Sequence, residues 1–133
     1  MILGTGTDLV SIARIEQILA RHADRFVNRV FTPEEQRLCA LRKAVSAACW
    51  AKRFAAKEAV VKALGTGMRD GIWFTDVEIL NDPLGRPVVT VTGEGARRLR
   101  ELGSAHGVEK IRIHLSLADE SGFALAYVLL EGH

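Results

Sequence analysis

Aromatic residues are scarce, at 6% of a 133-residue chain. That leaves few ring platforms for stacking on single-stranded nucleic acid. Cys39 and Cys49 are the only cysteines; they form no CxxC pair and no disulfide framework, which fits a reducing cytoplasm. No apolar run approaches the roughly 18 residues that a membrane span needs. The opening Met1–Asp8 stretch has no basic region and meets an acid early, so it does not read as a secretory signal. His22, His106, His114 and His133 are scattered, and without HExxH they offer no zinc site of familiar spacing. A GxSxG elbow is missing too. Leu9 stands where a dinucleotide fingerprint needs its third glycine, and no GK[ST] follows Gly65-Thr66-Gly67.

What is present is a foldable, unevenly charged chain. Hydrophobic residues make up 48% and charged residues 26%, so a packed core is expected, most simply in one domain spanning residues 1–133. From Arg37 to Arg69 there are eight basic residues (Arg37, Arg42, Lys43, Lys52, Arg53, Lys57, Lys62, Arg69) and one acid, Glu58. That segment therefore carries +7, leaving −5 for the rest of a chain whose total is +2. Such a field favours an anionic partner, although a solvated soluble face would read the same way.

The hydrophobic pattern predicts helices early and strands late. Ile2 to Val10 reads as a strand, with Ser11 as the cap of a helix that runs to about Phe31. Thr32-Pro33-Glu34-Glu35 signals a new helix start, and Ser46 opens a long helix that stops at Gly65. Ile72 to Leu80 and Pro87 to Thr92 look like strands joined by a turn. A short basic helix from Glu94 to about Ala105 follows, then strands from Ile111 to Leu117 and Phe123 to Leu130. This order predicts an α+β fold, with helices packed on a mostly antiparallel sheet.

The chemistry concentrates in Arg53-Phe54-Ala55-Ala56-Lys57-Glu58-Ala59-Val60-Val61-Lys62. Phe54, Glu58 and Lys62 share one helical stripe, flanked by Arg53 and Lys57. An ordinary Glu58–Lys62 surface ion pair would explain the spacing at about 0.3–0.5 kcal/mol. Asp8 suggests more. It ends an apolar strand in which Gly4 and Gly6 allow close backbone approach. If that strand lies under the long helix, Asp8 and Glu58 converge into an oxygen site for a hard cation such as Mg²⁺, with phosphate held by the basic residues. The glycines of Gly65-Thr66-Gly67 could expose amides to a phosphate or adenosine, or could simply stop the helix. Arg14, Arg21 and Arg25 fall within about 40° of one another at ~100° per residue. With Ile18 between them and Phe26 at the border, they form either a docking stripe for an acidic amphipathic helix or a plain solvent face.

These motifs, in order, resemble the small single-domain 4′-phosphopantetheinyl transferases, the holo-[acyl-carrier-protein] synthases. The resembling segments are Gly4-Thr5-Gly6-Thr7-Asp8, Phe54 to Lys62 as (W/F)xxKEAxxK, Gly65-Thr66-Gly67, Pro83-Leu84-Gly85-Arg86-Pro87 as PxGxP, and His114-Leu115-Ser116 as HxS. The resemblance implies the fold of that family and transfer of 4′-phosphopantetheine from coenzyme A to a serine of apo acyl carrier protein, in fatty acid biosynthesis. It implies Mg²⁺ on Asp8 and Glu58, Lys62 at the leaving phosphate, and coenzyme A against Arg53, Lys57, Gly65, Thr66, Gly67, Pro87 and His114. It implies carrier docking on Arg14, Ile18, Arg21, Arg25 and Phe26, and a homotrimer with intersubunit active sites. Glu58, or a water held at Asp8, would accept the serine proton. The chain departs from the pattern after HxS, where Ala118-Asp119 replaces the common Ser/Thr-His. A nucleic-acid-binding module and a non-catalytic coenzyme A sensor are the competing readings; the shortage of aromatics argues against the first.

Overall fold

The computed structural model describes residues 1–41, 46–69 and 71–133. Arg42 and Lys43 of the basic segment lie outside them. Strand β1 (Ile2–Ser11) leads directly into helix α1 (Ile12–Val30), capped by the Ser11 side chain, which accepts from the Arg14 amide at 3.3 Å. Helix α2 (Pro33–Ala40) begins with a reciprocal cap: Thr32 Oγ1 accepts from the Glu35 amide, and Glu35 Oε1 accepts from the Thr32 amide. Helix α3 (Ser46–Ala63) follows, then strands β2 (Val77–Asn81) and β3 (Pro87–Val91), helix α4 (Gly93–Ala105), and strands β4 (Ile111–Glu120) and β5 (Phe123–Gly132).

The strands form two antiparallel sheets, one ordered β1-β5-β4 and one a β2-β3 hairpin. The predicted strand from Ile72 starts later, at Val77. Asp76 Oδ2 instead accepts from the Trp73 amide and folds Phe74–Asp76 into a 3-10 turn. A side chain that offers the backbone a local acceptor competes with the ladder.

Helix α3 is the centre of the molecule. It lies across the inner face of the larger sheet, with Ala55, Ala56, Ala59, Val60 and Val61 fully buried. The strand face beneath it is made of small residues. Gly4, Gly6, Asp8 and Val10 alternate inward on β1, as do Ala124, Ala126 and Val128 on β5. A Cβ on Gly6 would sit 2.0 Å from the Ala59 carbonyl oxygen, and one on Gly4 would sit 2.2 Å from that of Ala63. The two glycines therefore set the distance at which helix and strand meet.

Two sequence expectations change. Cys39 of α2 and Cys49 of α3 are joined by a disulfide, with Cα atoms 5.5 Å apart. Their ten-residue separation carried no pairing signal, and the α2–α3 packing brings them together. Helix α1 is also not straight: His22 leaves helical geometry (φ −140°, ψ 38°). The stripe of Arg14 and Arg21 thus does not run unbroken to Arg25, which follows the kink.

Candidate active site

A cleft of about 210 Å³ opens between β1, α1 and α3, lined by Asp8, Val10, Arg14, Ile18, Phe54 and Glu58. Asp8 arrives by strand alternation two residues after Gly6, and Glu58 arrives one helical turn after Phe54. Phe54 anchors its own end by stacking on Phe74 at 5.6 Å. One turn beyond Glu58, Lys62 Nζ donates to Asp8 Oδ1 and to the Thr7 carbonyl, each at 3.0 Å. The Glu58 carboxyl is pushed above the ordinary carboxylate range, first by burial and then by the negative charge of Asp8, with Lys62 pulling it down. Two partly desolvated carboxylates facing one ammonium are short of positive charge. Among the described residues no larger group of His, Cys, Asp or Glu converges as a metal site, yet Mg²⁺ commonly takes only one or two carboxylates. Asp8 and Glu58 fit such an ion by donor type and by charge.

The basic residues separate into different environments. Lys57 does not reach the surface. Its Nζ donates to Glu35 Oε1 at 2.7 Å, to the Phe74 carbonyl at 3.0 Å and to the Val77 carbonyl. Lys57 and Glu35 are both 0% exposed. Burial pushes the Lys57 ammonium below its ordinary range, with Glu35 opposing the shift. Direct contact with coenzyme A is therefore corrected to a structural role, pinning α3 to α2 and β2. Glu35 Oε2 also accepts from the Ile79 amide at 2.9 Å. Sequence reasoning read Glu35 only as a first-turn acid, because nothing in its local pattern marks burial.

Arg53, one turn before Lys57, is buried but borders a second cleft of about 310 Å³ with Lys52, Asn81, Gly85, Pro87 and Leu117. Its guanidinium donates to the Cys49 carbonyl and to Asn81 Oδ1. Lys52 pairs with Asp119 at 2.9 Å, so the residue that departs from the family pattern supplies a counter-charge at this cleft's edge. Sequence reasoning missed both Lys52 and Asn81 as lining residues.

The Gly65–Gly67 loop does not present amides outward. The Gly65 amide donates to the Lys62 carbonyl, and the Thr66 and Gly67 amides both donate to the Val61 carbonyl. Gly65 and Gly67 take positive φ (84° and 65°) to make this helix stop. The amide-cradle alternative is thereby corrected. His114 lies on the outer face of the larger sheet, opposite α3, where its Nε2 meets Glu131 Oε1 at 3.0 Å. Leu9, Phe123, Leu125 and Tyr127 are exposed on that same face. On α1, Arg14, Arg21 and Arg25 are exposed while Ile18 and Phe26 are half-buried. No helix among the described residues is long and apolar enough to cross a membrane.

The sequence model of the 4′-phosphopantetheinyl transferase superfamily matches residues 4–128. Holo-[acyl-carrier-protein] synthase of Magnetococcus marinus is 51% identical over 135 residues, covering 100% of this chain and 95% of that protein. The crystal structure of holo-[acyl-carrier-protein] synthase from Neisseria meningitidis is similar at a TM-score of 0.81 and 37% identity, covering 98% of this chain and 99% of that one. The Bacillus anthracis holo-(acyl-carrier-protein) synthase in complex with coenzyme A (3′,5′-ADP) is similar at a TM-score of 0.79 and 34% identity, covering 100% and 99%.

Proposed function

The chain belongs to the 4′-phosphopantetheinyl transferase superfamily, among the holo-[acyl-carrier-protein] synthases, and from that premise we propose that it transfers 4′-phosphopantetheine from coenzyme A to a serine of apo acyl carrier protein. The reading gives residues 1–133 one transferase domain serving fatty acid biosynthesis. The observation that carries it is the meeting of Asp8 and Glu58 in one cleft, with Lys62 on the first of them.

The reaction is in-line attack of the serine oxygen on the phosphorus bearing pantetheine, with adenosine 3′,5′-bisphosphate leaving. Positioning and charge neutralisation supply most of the rate in such transfers. Asp8 and Glu58 would hold Mg²⁺, which would supply charge neutralisation to the substrate phosphates. Lys62 neutralises the departing phosphate. The serine proton goes to Glu58, which lines the same cleft as Asp8, or to a water held at Asp8. Arg53 and Pro87 flank the nucleotide from the second cleft; Gly65, Thr66 and Gly67 bound it with compact backbone. Arg14, Ile18 and Arg21, with Arg25 and Phe26 beyond the kink, meet the acidic helix of the carrier.

The separation of His114 from the Asp8–Glu58 cleft supports a homotrimer in which coenzyme A lies between subunits. The apolar outer face around Leu125 and Tyr127 would then be the surface that a second copy covers.

The test is direct. The chain is incubated with coenzyme A, Mg²⁺ and apo carrier, and the carrier is weighed by mass spectrometry. A gain of one phosphopantetheine, lost in Asp8→Ala and Glu58→Ala with the fold intact by circular dichroism, is the expected result. An unmodified carrier, or full activity in either variant, overturns the assignment.

A further inference from the structure

Helix α3 carries two lysines in opposite situations. Lys57 is fully buried and held by a carboxylate and two carbonyls, so moving it would strip a charge of all its partners. Lys62, five residues later, is 50% exposed at its side chain and donates to Asp8 and the Thr7 carbonyl at the rim of β1. Its departure would break no packing and leave the ammonium in water. Asp8 is the unequal partner: its side chain is 15% exposed, and a carboxylate so shielded gains from a cation beside it. The two oxygens that Lys62 holds, a carboxylate and a main-chain carbonyl, are also the hard donors that a divalent cation prefers.

We infer that Lys62 is a built-in competitor for the divalent ion at Asp8. In the metal-free enzyme its ammonium occupies the carboxylate and the Thr7 carbonyl. Ion binding expels it, and only then does its charge become available to the anionic substrate. The inference rests on the reading that Asp8 and Glu58 hold the ion. It makes Lys62 an ordering element: the phosphate-neutralising charge is withheld until the cation is in place. An internal competitor lowers apparent affinity by the fraction of molecules left competent. If that fraction is between about 0.3 and 0.1, removing the competitor tightens binding by about 3- to 10-fold.

The experiment uses the full chain and Mn²⁺ alone, without coenzyme A or carrier, following the free-ion signal by electron paramagnetic resonance. Lys62→Met keeps the length and apolar stem and removes the charge; Lys62→Gln is the second variant should the first misfold. Arg14→Gln removes a cation that lines the same cleft without touching Asp8. The expected result is binding about 3- to 10-fold tighter in Lys62→Met, less than about twofold change in Arg14→Gln, and loss of binding in Asp8→Asn. Equal or weaker binding in both Lys62 variants, with Asp8-dependent binding in the unmodified chain, overturns the competition and leaves the metal reading standing. Equal tightening in Arg14→Gln overturns it as general electrostatics. Binding that Asp8→Asn does not affect removes the metal reading, and the competition with it.

Discussion

A single methyl group at Gly6 should disturb the site more than its size suggests. In Gly6→Ala the new Cβ would lie 2.0 Å from the Ala59 carbonyl oxygen and 2.9 Å from the Ala63 amide nitrogen, both backbone atoms of α3. No side-chain rotation relieves that contact. Cβ atoms essentially never approach closer than 3.0 Å, so strand and helix must separate by at least about 1 Å, a value set by that contact limit and amplified by the close packing around it. Overpacking of this kind costs about 1–3 kcal/mol, and more where backbone moves. At about 4 °C per kcal/mol for a chain of this size, Tm falls by about 4–12 °C. The same displacement carries Asp8 on β1 away from Glu58 on α3, and a misplacement of about 1 Å can cost ~100-fold in rate. Thermal unfolding and the carrier mass assay, both run well below the new Tm, separate the two effects. A variant that melts like the unmodified chain and transfers within twofold of it would refute the claim that glycine sets the helix–strand distance.

Other expectations follow from the same contacts. Lys57→Met leaves Glu35 buried without its ammonium and should cost about 3–5 kcal/mol in chemical denaturation; coenzyme A affinity of the folded fraction should stay unchanged, and a selective loss of that affinity would restore the direct-contact role. Glu58 has its proton affinity raised by burial and by Asp8, so the folded state binds that proton more tightly than the unfolded one. The resulting stability is present at acid pH and lost as pH rises through the raised folded value. Glu58→Gln fixes the neutral form, so without divalent ions it should melt higher at neutral pH while transfer is abolished; a lower Tm counts against the shift. If the proposed trimer forms through this face, Leu125→Arg combined with Tyr127→Glu should yield monomers in sedimentation velocity, and unchanged assembly would exclude this face as the interface. Reversing Arg14 and Arg21 to Glu should weaken carrier binding at least tenfold and flatten its salt dependence; an equal drop in coenzyme A binding would show that the stripe belongs to the nucleotide site.

Local signals located most of the elements. The Thr32-Pro33 start, the Ser11 cap and the Gly65 stop act within one turn of chain, where backbone groups find partners without help from distant residues. The meeting of Asp8 with Glu58 was also legible, because glycines on one face of a strand and alanines on one face of a helix specify a close approach before any coordinates exist. The fate of charge was not. Lys57 and Lys62 sit in one motif with the same side chain, yet one is sealed beneath α2 and β2 while the other rests on the rim of β1. Helical spacing names which residues share a stripe; it does not say what packs over that stripe.

The chain alone thus determined where most helices begin, which two carboxylates would converge if strand and helix packed together, and which family the motifs resemble, since each depends on short-range sterics or on residue order. The tertiary structure decided the burial of Lys57 and Glu35, the pairing of Cys39 with Cys49, and the placement of His114 on the far side of the sheet. Each of these depends on desolvation or on contact between segments distant in sequence. Those quantities do not exist until the layers close on one another.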